Sequence, residues 1–146
     1  MDERIINFIT GQTCASITCA NEEGRLCSFS CFYSFDSRNG LLHYKSSRDT
    51  RHSLCIAKRP AVAGTILPDK LNRLQIKGVQ FEGRILAFDD PLCKQAASHF
   101  YKKHPVALSM PGDVWTVQLD FIKFTDNTLG FGKKLSWQRE ACTSIL

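Results

Sequence analysis

Apolar residues recur along this chain with two different periods, and the switches between them divide it into elements. Ile5, Ile6 and Ile9 stand at helical spacing behind two acids and ahead of Gly11, which predicts a helix over 2–10. A short strand over 13–20 follows, turned by the NEEG run at 21–24. The clearest alternation comes next: Cys27, Phe29, Cys31, Tyr33 and Phe35 interleave with Ser28, Ser30 and Ser34, so one face packs and the other is small and polar. Arg38-Asn-Gly40 turns the chain into a strand over 41–45, and Thr50 to Lys58 is a short helix stopped by Pro60.

A strand over 61–67 is expected after Pro60. The stretch 72–88 is long for one strand and changes phase: Leu74 and Ile76 share one face, Val79, Phe81 and Ile85 the other. A bulge or bend at Gly78 would reconcile the two, and Gly83 leaves room for a ligand or another backbone. Asp90 and Pro91 open an amphipathic helix running to about Lys103. Trp115, Val117, Leu119 and Phe121 mark one face of a strand over 114–124. The last segment has glycines, two aromatics and basic residues without a helix or strand period, and is expected to pack on something. Six or seven mostly antiparallel strands with a few short helices predict a mainly β protein, a small antiparallel β-barrel.

The 146 residues suit one domain, 1–146, with a real core. Net charge is +5, and the stretch 45–59 holds Lys45, Arg48, Arg51, Lys58 and Arg59 against Asp49 alone, a net of +4. The excess is local, which favours an anionic site over a generally basic coat. That same stretch joins a strand to a helix start, where free backbone N–H groups suit an anion. Ser46, Ser47 and Thr50 add hydroxyl donors, and Arg48, Arg51 and His52 add charged or ring-nitrogen donors. The result is a phosphate cradle without GxxxxGK[ST] or GxGxxG. A capped surface helix with solvated arginines is the plain alternative.

Seven cysteines, odd in number and without CxxC, read as reduced thiols, mostly small core residues. Cys27 and Cys31 have metal-like spacing but stand about 13 Å apart on an extended strand, too far for one zinc. No histidine pattern points to a metal, so no protein-bound metal is expected. No apolar run approaches the ~18–20 residues of a membrane span. The N-terminus lacks the pattern of a signal peptide, and a cytoplasmic location is expected.

The runs GVQFEG at 78–83 and IKFTDNTLGFGKKLSWQR at 122–139 resemble the YhbP-like branch of the pyridoxamine-phosphate-oxidase-like split barrels, over essentially the whole chain. The resemblance implies an FMN-binding split barrel, FAD being the alternative flavin, and a homodimer with flavin at the subunit interface. In the oxidases a Tyr-Thr pair, then Ser-Arg-Lys four residues on, binds the FMN phosphate. By similarity Lys45 replaces the tyrosine, Ser46 falls on the threonine, Thr50 on the serine, Arg51 on the arginine and His52 on the lysine. Phe29 and Ser34 stand where the oxidases carry an arginine and a lysine. In the C-terminal motif Lys134 and Arg139 keep a basic residue at each end. The register is one residue longer, and Ser136 stands where a substrate-binding histidine is needed, so vitamin B6 oxidation is not expected.

The resulting expectation is a flavin-dependent oxidoreductase of unknown substrate, with no side chain marked as catalytic acid or base. Gln80 or Gln75 is expected at the polar edge of the flavin ring, Phe131 or Trp137 over its face, and Lys77 near charge on the reduced ring. The 125–146 segment is expected to complete the partner subunit's site at the dimer interface. The alternative is a non-catalytic flavin or haem binding or storage protein. A barrel for single-stranded nucleic acid would interleave aromatics with basic residues, and 45–59 contains no Phe, Tyr or Trp.

Overall fold

A computed structural model describes residues 1–130 and 134–141. Strands β1 (Cys14–Ala20), β2 (Leu26–Asp36), β3 (Leu41–Ser46), β4 (Ala61–Ile66), β5 (Lys77–Ile85) and β6 (Asp113–Asp126) form a closed antiparallel barrel in the order β1-β2-β3-β6-β5-β4. A seventh strand, β7 (Lys134–Gln138), is added to β6. Three helices dress the barrel: α1 (Glu3–Gly11), α2 (Arg51–Lys58) and α3 (Ala96–Lys103). None of the described helices is long and apolar enough to cross a membrane.

Closure rests on β6. Its first part pairs with β3 over 113–118, and β5 takes the opposite edge over 117–126. Beyond Gln118, which faces the first residue of β3, β7 continues along the same edge over 121–125. Inward side chains of all six strands fill the barrel, among them Ile17, Tyr33, Leu42, Tyr44, Val79, Phe81, Val117 and Ile122. α1 buries Ile5, Phe8 and Ile9 against this core, and Phe8 meets Phe124 with ring centres 5.0 Å apart.

Four expectations need correction. The bend is not at Gly78: β5 starts at Lys77 and alternates without interruption, Val79, Phe81, Gly83 and Ile85 facing inward. Leu74 and Ile76 lie exposed in the preceding loop, so the phase change marks the strand's beginning. The irregularity lies further on, where Glu82 pairs with Phe121 but Gly83 with Leu119, leaving Asp120 as an extra residue on β6. Trp115, Val117 and Leu119 therefore face the core, after which Ile122 and Phe124 do, and Phe121 turns to the other face. Gly83 is needed for the close approach of backbone: a Cβ there would collide with the Gln118 carbonyl.

The helix expected from Asp90 is divided. A 3-10 turn, Pro91–Cys93, capped by the Asp90 carboxylate accepting from Leu92 N, precedes the regular α3. The C-terminal segment has strand order after all: in β7, Leu135 and Trp137 pack on the core while Lys134, Ser136 and Gln138 are exposed. Arg139 follows as a clamp, its guanidinium donating to the carbonyls of Leu119, Asn39 and Gly40.

Under α3 the barrel carries a polar seam. Ser34, His43 and Thr116 are cross-strand neighbours on β2, β3 and β6. His43 Nδ1 lies 3.0 Å from Thr116 Oγ1, and His99 of α3 reaches Ser34 Oγ at 2.9 Å. Burial, then the neighbouring His99, lowers the pKa of His43 from its ordinary 6.5 to about 4, outweighing nearby Asp36. Between these values the unfolded chain binds a proton that the folded chain refuses, so this stabilisation is full above 6.5 and is lost as pH falls toward 4. The lowered pKa of half-buried His52 acts in the same direction. Urea melts should show stability falling across this window by up to about 3 kcal/mol, since each pKa unit is about 1.4 kcal/mol. His43→Asn should flatten the slope whatever it does to the plateau.

Candidate functional site

β3 leaves the barrel at Ser46, and α2 begins at Arg51 after four connecting residues. Thr50 is the N-cap, its hydroxyl accepting from Ser53 N at 3.2 Å. Ser53, fully buried, donates its own hydroxyl to the Ser47 carbonyl at 2.7 Å and so ties the turn to the first helical turn. Gly112, at φ +120°, lies against the Ser46–Ser47 peptide, where a Cβ would come within 3.1–3.3 Å of backbone. The turn is thus fixed from both sides. A fixed turn holds its donors in one geometry, which an anion site requires.

Of the residues expected at the phosphate, the structure brings Lys45, Ser46, Ser47, Thr50, Arg51 and His52 together here. Their availability differs. Lys45 Nζ donates to the Ala107 carbonyl at 2.6 Å and to that of Met110, and sits 4.9 Å from the Tyr101 ring centre. It fastens the 105–110 segment to the strand. Thr50 is occupied as a cap. Arg51 is exposed and has no carboxylate partner among the described residues. Ser46 Oγ lies 2.8 Å from His52 Nε2. The Ser47 hydroxyl, the first-turn N–H groups and the Arg51 guanidinium therefore form the usable donor set, joined by the Ser46 hydroxyl when His52 Nε2 is its donor.

His52 stacks on Phe29 with ring centres 3.7 Å apart and planes 11° apart. Burial lowers its pKa, so at neutral pH the ring is an uncharged partner rather than a cation. The two positions expected from resemblance to hold an arginine and a lysine are thus replaced by one neutral stacked pair.

Beside the turn opens a cavity of about 450 Å³, lined mainly by Ile56, Ala57, Ile85, Ala87, Phe88 and Trp115. Arg48 stands in its wall, paired with Asp113 at 2.9 Å and lying 4.2 Å from the Phe88 ring centre. Trp115 Nε1 donates to the Ser46 carbonyl at 2.8 Å, so the same indole lines the cavity and braces the turn. The sequence alone singled out none of Ser53, Phe88 or Trp115 for the site. Ser53 has a signal, since it stands three residues after the N-cap. The cavity has none, because its walls come from segments 48–60, 85–88 and 115.

The remaining expected residues lie elsewhere on this chain. Gln80 is exposed on β5 and lines a separate cleft of about 320 Å³ with Thr18, Gly64, Thr65, Glu82 and Phe121. Gln75 lies in the exposed loop before β5. Lys77 pairs with buried Asp126 at 3.6 Å. Lys134 is exposed on β7, Trp137 packs on the core, and Arg139 is engaged by three carbonyls. Phe131 lies outside the described residues. No group of three or more His, Cys, Asp or Glu among the described residues is arranged to hold a metal.

The same architecture recurs in solved structures of low sequence identity. A haem binding protein from Mycobacterium smegmatis superposes with a TM-score of 0.74 at 14% identity over 90% of this chain, which spans 55% of that protein's length. A FAD-binding protein from Mesorhizobium loti superposes with a TM-score of 0.67 at 14% identity, covering 86% of this chain and 95% of that one. No family model matches the sequence. Sequence similarity to the UPF0306 protein YhbP of Salmonella paratyphi A is much closer, 40% identity over 123 residues and 84% of each chain. With that identity over that coverage, the chain belongs to the UPF0306 (YhbP) family.

Proposed function

We propose that this protein binds FMN as a split barrel of the pyridoxamine-phosphate-oxidase-like type. In this reading it is a homodimer with the flavin between subunits, acting as an oxidoreductase. The observation that carries the reading is the fixed β3–α2 turn, which offers Ser46, Ser47, Arg51 and a helix start next to an apolar cavity. A phosphorylated aromatic ligand needs that combination: directional charge-assisted donors at one end and apolar walls at the other. Proteins of the same fold that bind FAD or haem support a ligand of this size and flatness.

Bound flavin would supply the electron-transfer chemistry, and the chain would supply binding and orientation. Arg51 and the two serines hold the phosphate, and Trp115 keeps the turn in place. The Phe29–His52 stack gives the site an uncharged wall. Gln80 lies on β5 and Lys134 and Trp137 on β7, and in this reading they serve the ring bound at the partner subunit's turn, so that the site is shared. Ser136 stands where a pyridoxamine-phosphate oxidase needs a histidine, so the substrate is another compound.

A second reading, flavin or haem binding without turnover, is favoured by one observation. Phe29 and His52 take two expected cationic positions out of the site, leaving fewer charges to tune a redox ring.

Arg51→Ala should weaken FMN about ten- to a hundredfold while leaving riboflavin nearly unchanged, because only FMN offers the charge. Equal losses for both ligands in parallel titrations would remove the phosphate from this turn. If the site is shared, FMN should shift sedimentation toward the dimer and dilution should release the flavin. A monomer that retains flavin at nanomolar concentration would refute the shared arrangement.

A further inference from the structure

Three of the chain's cysteines meet at one point outside the phosphate turn. Cys19 on β1 and Cys27 on β2 are directly opposite in the ladder, and Cys55 of α2, packed against the same core, neighbours Cys19. The Cys19 thiol lies 3.5 Å from the Cys27 carbonyl and 3.9 Å from the His52 carbonyl of α2, and the Cys27 and Cys55 thiols are near enough to act on its charge. The three differ in access. Cys19 is 2% exposed, whereas Cys27 and Cys55 are half-buried. Cys55 also lines an open cleft of about 260 Å³, with Lys58 and Glu22 at its rim.

A buried thiol in contact with a reachable one is the arrangement of a resolving and an attacking cysteine. From this geometry we infer that Cys55 and Cys19 form a peroxide-responsive thiol pair that closes to a disulfide and fastens α2 to β1. The Cys55 thiol, losing its proton to solvent, attacks one oxygen of hydrogen peroxide. The O–O bond breaks, hydroxide leaves and takes up a proton, and Cys55 becomes a sulfenic acid. The Cys19 sulfur then attacks Cys55 Sγ; its S–H bond and the S–OH bond break, and water leaves. Two thiols are oxidised to one disulfide, and one peroxide is reduced to two waters.

Burial, then the two neighbouring thiols, raises the pKa of Cys19 to about 11, so the closing step accelerates as pH rises. The bond would touch the site as well as the helix. The Cys19 thiol also points at the His52 carbonyl at 3.9 Å, and Cys55 lies one helical turn beyond Arg51. Oxidation thus pins the helix whose start forms the phosphate turn, and it does so whether or not that turn binds FMN.

The test uses the full-length protein, reduced and then exposed to a small excess of hydrogen peroxide. Titration with a thiol reagent should show two of seven thiols lost. Peptide mapping without reductant should join the Cys19 and Cys55 peptides, and dithiothreitol should reverse the link. Cys19→Ser should stop at a dimedone-trappable sulfenic acid on Cys55, and Cys55→Ser should lose no thiol on the same timescale. The rate of disulfide closure should climb with pH between 7 and 9, a range set below the Cys19 value. A Cys19–Cys27 bond, links between chains, or oxidation spread over Cys14 and Cys93 would overturn the inference. The mapping on the wild-type protein decides it even if a variant fails to fold.

Discussion

The backbone pairing of β6 with three other strands is the constraint on which everything else depends. Fourteen residues at ~3.3 Å each give a strand of about 46 Å, long enough to serve β5 on one edge and β3 then β7 on the other. Such a strand cannot follow the barrel's curvature without relief, and the extra Asp120 provides it. The bulge reverses which side chains face inward, so Leu119 and Ile122 both reach the core though three residues apart. Gly83 lets the facing backbone come close enough for the ladder to continue.

The β3–α2 turn inherits its rigidity from that closure. β3 ends where its pairing with β6 ends, at Ser46 opposite Asp113. Asp113 in turn holds Arg48, and Trp115, one strand step on, holds the Ser46 carbonyl. The turn is therefore anchored to β6 at its base and to α2 through Thr50 and Ser53. Within this frame charge is scarce: Lys45 and Arg48 are spent on structure, and His52 is held neutral against Phe29. Among the described residues of the turn, Arg51 is the cation left to face an anion. The local excess of positive charge seen in the sequence overstates what the site can offer a ligand.

Elements with local signatures were the legible ones. Alternation from Cys27 to Phe35, the Thr50 cap and Pro60 identify β2 and α2 because short-range sterics and capping decide them. The bulge was not legible, since nothing distinguishes Asp120 from its neighbours, whereas Gly78 is a conspicuous but ordinary strand residue. Leu135 and Trp137 do alternate, but five residues between basic and polar neighbours are too short a run to reveal β7 before its partner strand is known. The donors at 46–52 could be placed together because they are adjacent in the chain. Which of them were already engaged could not, because Ala107, Met110 and Asp113 reach them only in the folded barrel.

The central claim is that the β3–α2 turn makes this barrel a holder of a phosphorylated flavin. The most direct measurement is the visible spectrum of the protein purified without added cofactor, with chromatography of the chromophore released by acid. The account predicts a flavin spectrum and release of FMN. A protein that is colourless and leaves the fluorescence of added FMN unchanged, or that carries the absorption of haem alone, would contradict it.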